Sequence, residues 1–159
     1  FLVPTGRGKF IGQEEILPFE YEEAFNRLFD LQMNFPLPIK VTCAPHYYRI
    51  LHTRSKEKNI GKGCLAGQSV CFISHKGEVF GCGYLPVKAG DLREDNFKKI
   101  WFESEVFKAL RDESRLEGKC GVCEFKIVCG GCRGRAFAAT GDYLKEEPDC
   151  AYQPLTKRF

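Results

Sequence analysis

The sequence predicts an α+β fold in two unequal parts. The first is a strand–helix–strand piece, the last unit of a larger α/β domain. The second is a cysteine-rich module with a short hairpin and short helices. Three observations predict this. Apolar residues fall at helical spacing over residues 18–34, between two short apolar runs. Two β-prone runs flank one turn at His75-Lys76-Gly77. All but one of the nine cysteines lie at or beyond residue 64.

Taken in order, Phe1-Leu2-Val3-Pro4 reads as the end of a buried strand and Thr5-Gly6-Arg7-Gly8 as a flexible loop. With no initiating Met, the expectation is a piece of a longer polypeptide. Pro18 opens a helix with Tyr21, Ala24, Phe25, Leu28 and Leu31 on one face. Glu20, Glu22 and Glu23 suit its dipole, and Asn34 and Pro36 end it. Pro38–Cys43 then reads as a strand. Strand–helix–strand is the unit of a parallel sheet or barrel, so residues 1–45 are expected to be a terminal piece. One such unit cannot close a barrel.

Residues 46–63 read as a polar linker, with Arg54, Lys56, Lys58 and Lys62 around a Gly61-Lys62-Gly63 break. Residues 64–159 form the second domain. In it Val70–Ser74 and Glu78–Gly81 form the hairpin. Asp95 or Asn96 caps a helix carrying Phe97, Ile100 and Trp101, and Ser104 caps another carrying Phe107 and Leu110. Those five apolar side chains are core candidates. From Gly118 onward regular structure is expected to be short.

The 159 residues suit one domain plus a fragment of another. Hydrophobic residues at 43% and charged ones at 28% describe a chain able to bury a core. A net charge of +3 argues for no nucleic-acid partner. Apolar runs fall well below the ~18 residues that span a bilayer. With no export signal at the start, the expectation is a cytoplasmic protein without a membrane role.

Nine cysteines in such a chain point to a metal centre or a redox motif rather than a disulfide framework. The dense run is Cys120-x2-Cys123-x5-Cys129-x2-Cys132. Two C-x-x-C turns let thiolates converge on one inorganic core, and Gly121, Gly130 and Gly131 let backbone N–H groups approach the sulfurs. A zinc ribbon separates its pairs by ~15–20 residues, against five here. A redox dithiol needs a single C-x-x-C. Iron–sulfur ligation uses more of the cysteines: setting Cys43 aside as a buried thiol leaves eight, enough for two [4Fe–4S] clusters. Spacing alone leaves zinc open.

The pattern Cys64-x12-Gly77-x4-Cys82, then Cys120-x2-Cys123-x5-Cys129-x2-Cys132, then Cys150 resembles the seven-cysteine signature of the SPASM domain. That domain extends many radical S-adenosylmethionine enzymes and holds auxiliary [4Fe–4S] clusters. Its commonest form has three residues between the fifth and sixth cysteines, where this chain has Gly130-Gly131. Stretches such as Phe1-Leu-Val-Pro-Thr-Gly-Arg-Gly8, Cys43-Ala-Pro-His-Tyr-Tyr-Arg49, Cys129-Gly-Gly-Cys-Arg-Gly-Arg135 and Gly141-Asp-Tyr143 resemble the radical enzymes of alternative haem synthesis. That family includes decarboxylases of iron-coproporphyrin III, with relatives in haem d1 synthesis and peptide modification.

The resemblance implies a partition of ligands. One cluster takes Cys64, Cys82 and Cys132, with Cys71 as the fourth. The other takes Cys120, Cys123, Cys129 and Cys150. Some relatives keep only the second. It implies S-adenosylmethionine and its own [4Fe–4S] cluster in an N-terminal radical core of the same polypeptide. The C-x3-C-x2-C loop of that core occurs nowhere in residues 1–159, so this stretch should be inactive alone. It also implies a partial (β/α) barrel for residues 1–45, a tetrapyrrole substrate, and an electron donor or acceptor such as a ferredoxin. Sites in such barrels form at the C-terminal ends of strands. Arg7, His46, Tyr47, Tyr48 and Arg49 are therefore candidates to face S-adenosylmethionine or a tetrapyrrole's propionates. The plainer reading makes the arginines surface ion pairs, the tyrosines core packing and His46 a loop residue. Lys119, Lys126, Arg133 and Arg135 either favour thiolates or are surface charges, and His52 and His75 read as surface residues. Rival functions are a peptide-modifying SPASM enzyme and a zinc-bound structural module.

Overall fold

The computed structural model describes residues 1–56 and 60–155. Lys58, one of the cations assigned to the linker, lies outside them. Mixed helices and one small antiparallel sheet make the chain α+β. Helix α1 (Pro18–Asn34) starts at Pro18, whose missing N–H is needed by no helical bond there. The Glu20 carboxylate accepts from the Leu17 N–H at 2.6 Å. Its buried face is Tyr21, Phe25 and Phe29, rotated from the expected stripe so that Leu31 is exposed. Helix α2 (Tyr47–Arg54) occupies the start of the expected linker, and its Tyr47 and Ile50 pack on that face.

The two expected N-terminal strands do not form. Residues 1–4 and 38–43 make no ladder, and Gly6–Glu14 is a 3-10 segment rather than a flexible loop. A strand needs a paired neighbour for its N–H and C=O groups. Here residues 1–3 and 42–43 lie side by side through other bonds. The Phe1 amine donates to Thr42 O (3.4 Å), and Arg135 Nη2 donates to both Leu2 O (2.7 Å) and Cys43 O (2.8 Å).

The second core is built on the hairpin. Strands β1 (Phe72–Ile73), β2 (Glu78–Phe80) and β3 (Lys88–Asp91) pair antiparallel in that order, with Ile73 opposite Val79 and Val79 opposite Gly90. Helices α3 (Phe97–Glu103) and α4 (Glu105–Arg111) cover it. Val79, Leu85, Ile100, Phe107 and Leu110 are its buried residues, with Trp101 partly buried against them. Phe97 is 41% exposed, so this core candidate lies at the edge of the core, its ring against Trp101. Asn96 caps α3 by accepting from the Lys99 N–H at 3.0 Å; Ser104 precedes α4 without a side-chain cap. Two short helices follow, α5 (Gly118–Val122) and α6 (Arg133–Thr140). Among the described residues, no helix is long and apolar enough to cross a membrane.

Candidate metal centre

Cys120 and Cys123 lie at the end of α5 and Cys129 in the turn after it; Cys150 returns on the segment beyond α6. These four sulfur-bearing residues line one pocket of about 450 Å³, mouth included, together with His46 and Arg49. Gly121 makes the first turn possible: a Cβ there would fall 2.2 Å from Leu116 O. Gly131, at φ +59°, lets the chain fold past Cys120, since a Cβ would meet the Arg133 guanidinium at 2.3 Å and the Cys120 Sγ at 3.3 Å.

Donors converge on the sulfurs. The Gly131 N–H points at Cys129 Sγ (3.4 Å), the Glu147 N–H at Cys120 Sγ (3.3 Å), and Arg133 Nη2 reaches the same sulfur at 3.8 Å. Backbone N–H groups of Phe125 and Tyr152 serve Cys123 and Cys150. Burial pushes the Cys150 thiol up to about 11 and raises Cys129 and Cys123. Such thiols hold their protons until a cation replaces them, so metal uptake here releases protons. Among the described residues no three His, Cys, Asp or Glu side chains converge where a single ion would sit. Four thiols spread around a pocket fit a multi-iron core, whose thiolate ligands and N–H···S contacts are the pattern found here.

The second group forms beside the first. The Cys64 N–H donates to Cys129 O (3.1 Å), and a Cβ on Gly130 would lie 3.6 Å from the Cys64 Cβ. Cys82 follows β2, its sulfur accepting from Tyr84 and Leu85 N–H groups. Cys132 is buried and precedes α6; burial, then the Glu147 charge, pushes its thiol up to about 12. After burial, the neighbouring Cys64 is among the lesser causes that raise the Cys132, Cys82 and Cys43 thiols. Cys43, expected to be buried, is partly buried, in a left-handed backbone (φ +59°) that L-residues rarely adopt. Cys71, expected as the fourth ligand, sits just before β1 and packs on the hairpin core.

The expected substrate residues do not form one site. Arg7 is exposed on the 3-10 segment. Tyr47 is buried and donates to Gln32 Oε1 at 3.0 Å. Tyr48 lies on another face, beside Met33 and Leu51. Only His46 and Arg49 meet, both at the cysteine pocket. Arg49 is paired with Glu22 and stacks over Tyr152 at 4.5 Å, so it is no surface residue. The basic residues beside the cysteines are also engaged. Lys119 Nζ donates to Cys150 O (2.8 Å) and Lys126 Nζ to Gly121 O (2.9 Å). Arg133 donates to Tyr143 O and Lys145 O, both at 2.8 Å. Arg135, 1% exposed, lies 3.0 Å from Glu147 and 2.8 Å from Asp149. Glu147, itself buried, accepts from the Cys132 N–H at 2.6 Å. Sequence reasoning missed Glu147, whose only signal is its place three residues before Cys150.

Residues 64–124 match the SPASM family, described as an iron–sulfur cluster-binding domain. The chain is 49% identical to an AdoMet-dependent heme synthase of Methanosarcina barkeri, across 99% of this chain and 48% of the relative. It is 45% identical to one of Oleidesulfovibrio alaskensis, across 98% of this chain and 43% of the relative. A PqqA peptide cyclase of Bradyrhizobium diazoefficiens is 46% identical across 59% of this chain and 27% of its own length. The chain thus spans about half the length of the heme synthases it matches.

Proposed function

We propose that the chain, whose residues 64–124 match the SPASM iron–sulfur domain and which resembles AdoMet-dependent heme synthases along nearly its whole length, is the auxiliary-cluster region of a radical S-adenosylmethionine enzyme acting on a tetrapyrrole. The observation that carries the reading is the meeting of Cys120, Cys123, Cys129 and Cys150 around one pocket. These four hold one [4Fe–4S] cluster. Cys64, Cys82 and Cys132 hold three irons of a second, with Cys71 and Cys43 as the two candidates for its fourth ligand.

A bound cluster supplies one-electron transfer, with its potential set by burial, charge and hydrogen bonds. Oxidative loss of a propionate carboxylate as CO₂ leaves one electron to be carried away from the substrate radical. The chain's part is to keep such a relay dry and correctly charged. Lys119, Lys126 and Arg133 offset thiolate charge, while Gly130 and Cys64 bring the two cysteine groups together. Exposed Phe10, Phe19, Met33 and Leu37 support docking of the N-terminal region onto the radical core of the same polypeptide. A ferredoxin-like protein would exchange the electron.

Similarity to a PqqA peptide cyclase favours peptide modification as a second reading. The tetrapyrrole reading takes precedence because its matches extend over nearly all of this chain. Iron and sulfide counts on anaerobically reconstituted protein test the cluster assignment. About eight of each per chain is expected. About four of each would leave only the cluster of Cys120, Cys123, Cys129 and Cys150. Zinc without sulfide would end the electron-transfer reading. Saturable binding of a porphyrin to the full-length enzyme, rather than of a precursor peptide, separates the two substrates.

A further inference from the structure

His46 precedes α2 and is 1% exposed. Neither ring nitrogen has a hydrogen-bond partner in the protein. A buried polar group left unpaired costs about 1–3 kcal/mol, so such groups persist where something else pairs them. Tyr21 (ring centroids 5.2 Å apart) and Phe25 (4.6 Å, edge-on) fix the imidazole plane, and the same residue lines the pocket of the four cysteines. Burial is the main reason its pKa is lowered, to about 4; Glu147 opposes this, while Arg135 and Arg49 add to it. The ring is therefore neutral near pH 7, with one N–H that needs an acceptor. Glu147, the nearby carboxylate, is already engaged by Cys132 N–H and Arg135. Four thiols already supply a full ligand set, which leaves no vacancy for imidazole as a ligand.

We propose that His46 donates an imidazole N–H hydrogen bond to a sulfur of the cluster held by Cys120, Cys123, Cys129 and Cys150, and so raises that cluster's reduction potential. His46 acts as a positioning residue, and the inference rests on the cluster reading above. An N–H donor stabilises the more negative, reduced core more than the oxidised one. The donor is also held by aromatic packing rather than by a flexible stem, which keeps it aimed through both redox states.

Reconstituted full chain provides the test, by redox titration followed with electron paramagnetic resonance alongside iron and sulfide counts. His46→Phe keeps the ring's bulk and removes the donor; His46→Gln keeps a donor. Iron should stay bound in His46→Phe while the reduced-to-oxidised ratio at fixed potential falls about tenfold, a shift of about 59 mV for one electron. His46→Gln should recover most of that shift. A second readout is a weak nitrogen coupling to the reduced cluster in wild-type protein carrying ¹⁵N-histidine. An unchanged potential in His46→Phe with iron intact overturns the proposal, and so does a coupling strong enough for direct Fe–N ligation. Should His46→Phe lose its iron, the labelled wild type decides: weak coupling sustains the hydrogen bond and none overturns it. A wild-type chain that binds no iron would instead sink the cluster reading, and this inference with it.

Discussion

Cys43 and Cys71 compete for one ligand place, and single substitutions separate them. With Cys43 as the fourth ligand, Cys43→Ala should convert the cluster of Cys64, Cys82 and Cys132 to a three-iron form or lose it, reducing iron by about one to four per chain, while Cys71→Ala should leave the count unchanged. Iron analysis with electron paramagnetic resonance reads both; equal loss from Cys71→Ala would return the fourth place to that residue. Arg135 is another single-residue test. It ties Leu2 O and Cys43 O to buried Glu147, so Arg135→Met should cost about 3–5 kcal/mol by leaving that carboxylate unpaired, as measured by denaturant unfolding. The grouping of Cys120, Cys123, Cys129 and Cys150 was legible only through the family resemblance, since the local spacing by itself would put Cys132 in place of Cys150. The influence of Cys64 on Cys43 was not legible, because Cys64 stands 21 residues on and only tertiary folding joins them. His46 was legible as a residue to watch, but its burial against Tyr21 and Phe25 belongs to the packing of α1 on α2.

At the scale of elements, the turns around the metal centre tolerate little change. Gly121→Ala must displace Leu116 O, so this variant should lose about four iron per chain, whereas Gly83→Ala, with nothing nearer than 3.8 Å, should keep wild-type iron. The sheet is braced by Asp91, whose buried carboxylate accepts from Arg93 Nε (2.8 Å) and N–H (3.0 Å) and from Lys88 Nζ (2.9 Å). These partners, Arg93 first, hold its pKa far below the usual carboxylate range. Folding therefore favours the charged form, and that contribution is complete above about pH 4 and lost as the pH falls further. Thermal unfolding should show Asp91→Asn less stable than wild type at pH 7, with the gap narrowing in stronger acid. The hairpin could be read from its β-prone runs and Gly77, and α1 from Pro18 and its apolar spacing. Strand β3 could not, because Lys88-Ala89-Gly90-Asp91 has no strand propensity. Gly90 is there because Ile100 closes on it, a Cβ meeting that side chain at 2.8 Å. The expected strands at either side of α1 lacked the neighbour that pairing requires.

For the whole molecule, the two cores depend on the metal centre to different degrees, and this difference can be measured. The hairpin core has its own buried set in Val79, Leu85, Ile100, Phe107 and Leu110, with the proposed ligand Cys82 packed against its edge. The other side is joined differently. Helix α2 contributes Arg49, and the turn before it contributes His46, to a pocket whose remaining wall includes the cysteine segment 118–132 and the returning segment 147–152. Those cysteine segments hold short helices and few buried apolar side chains, so their order depends on ligation more than on a core. Chelating the iron should therefore raise amide hydrogen exchange across residues 118–132 and 147–152 and, more weakly, in α2. Exchange in β2, β3 and α4 should change little. Uniform loss of protection would mean that the metal centre and the hairpin core unfold as one unit. An unchanged pattern would mean that the cysteine turns fold without their ligand.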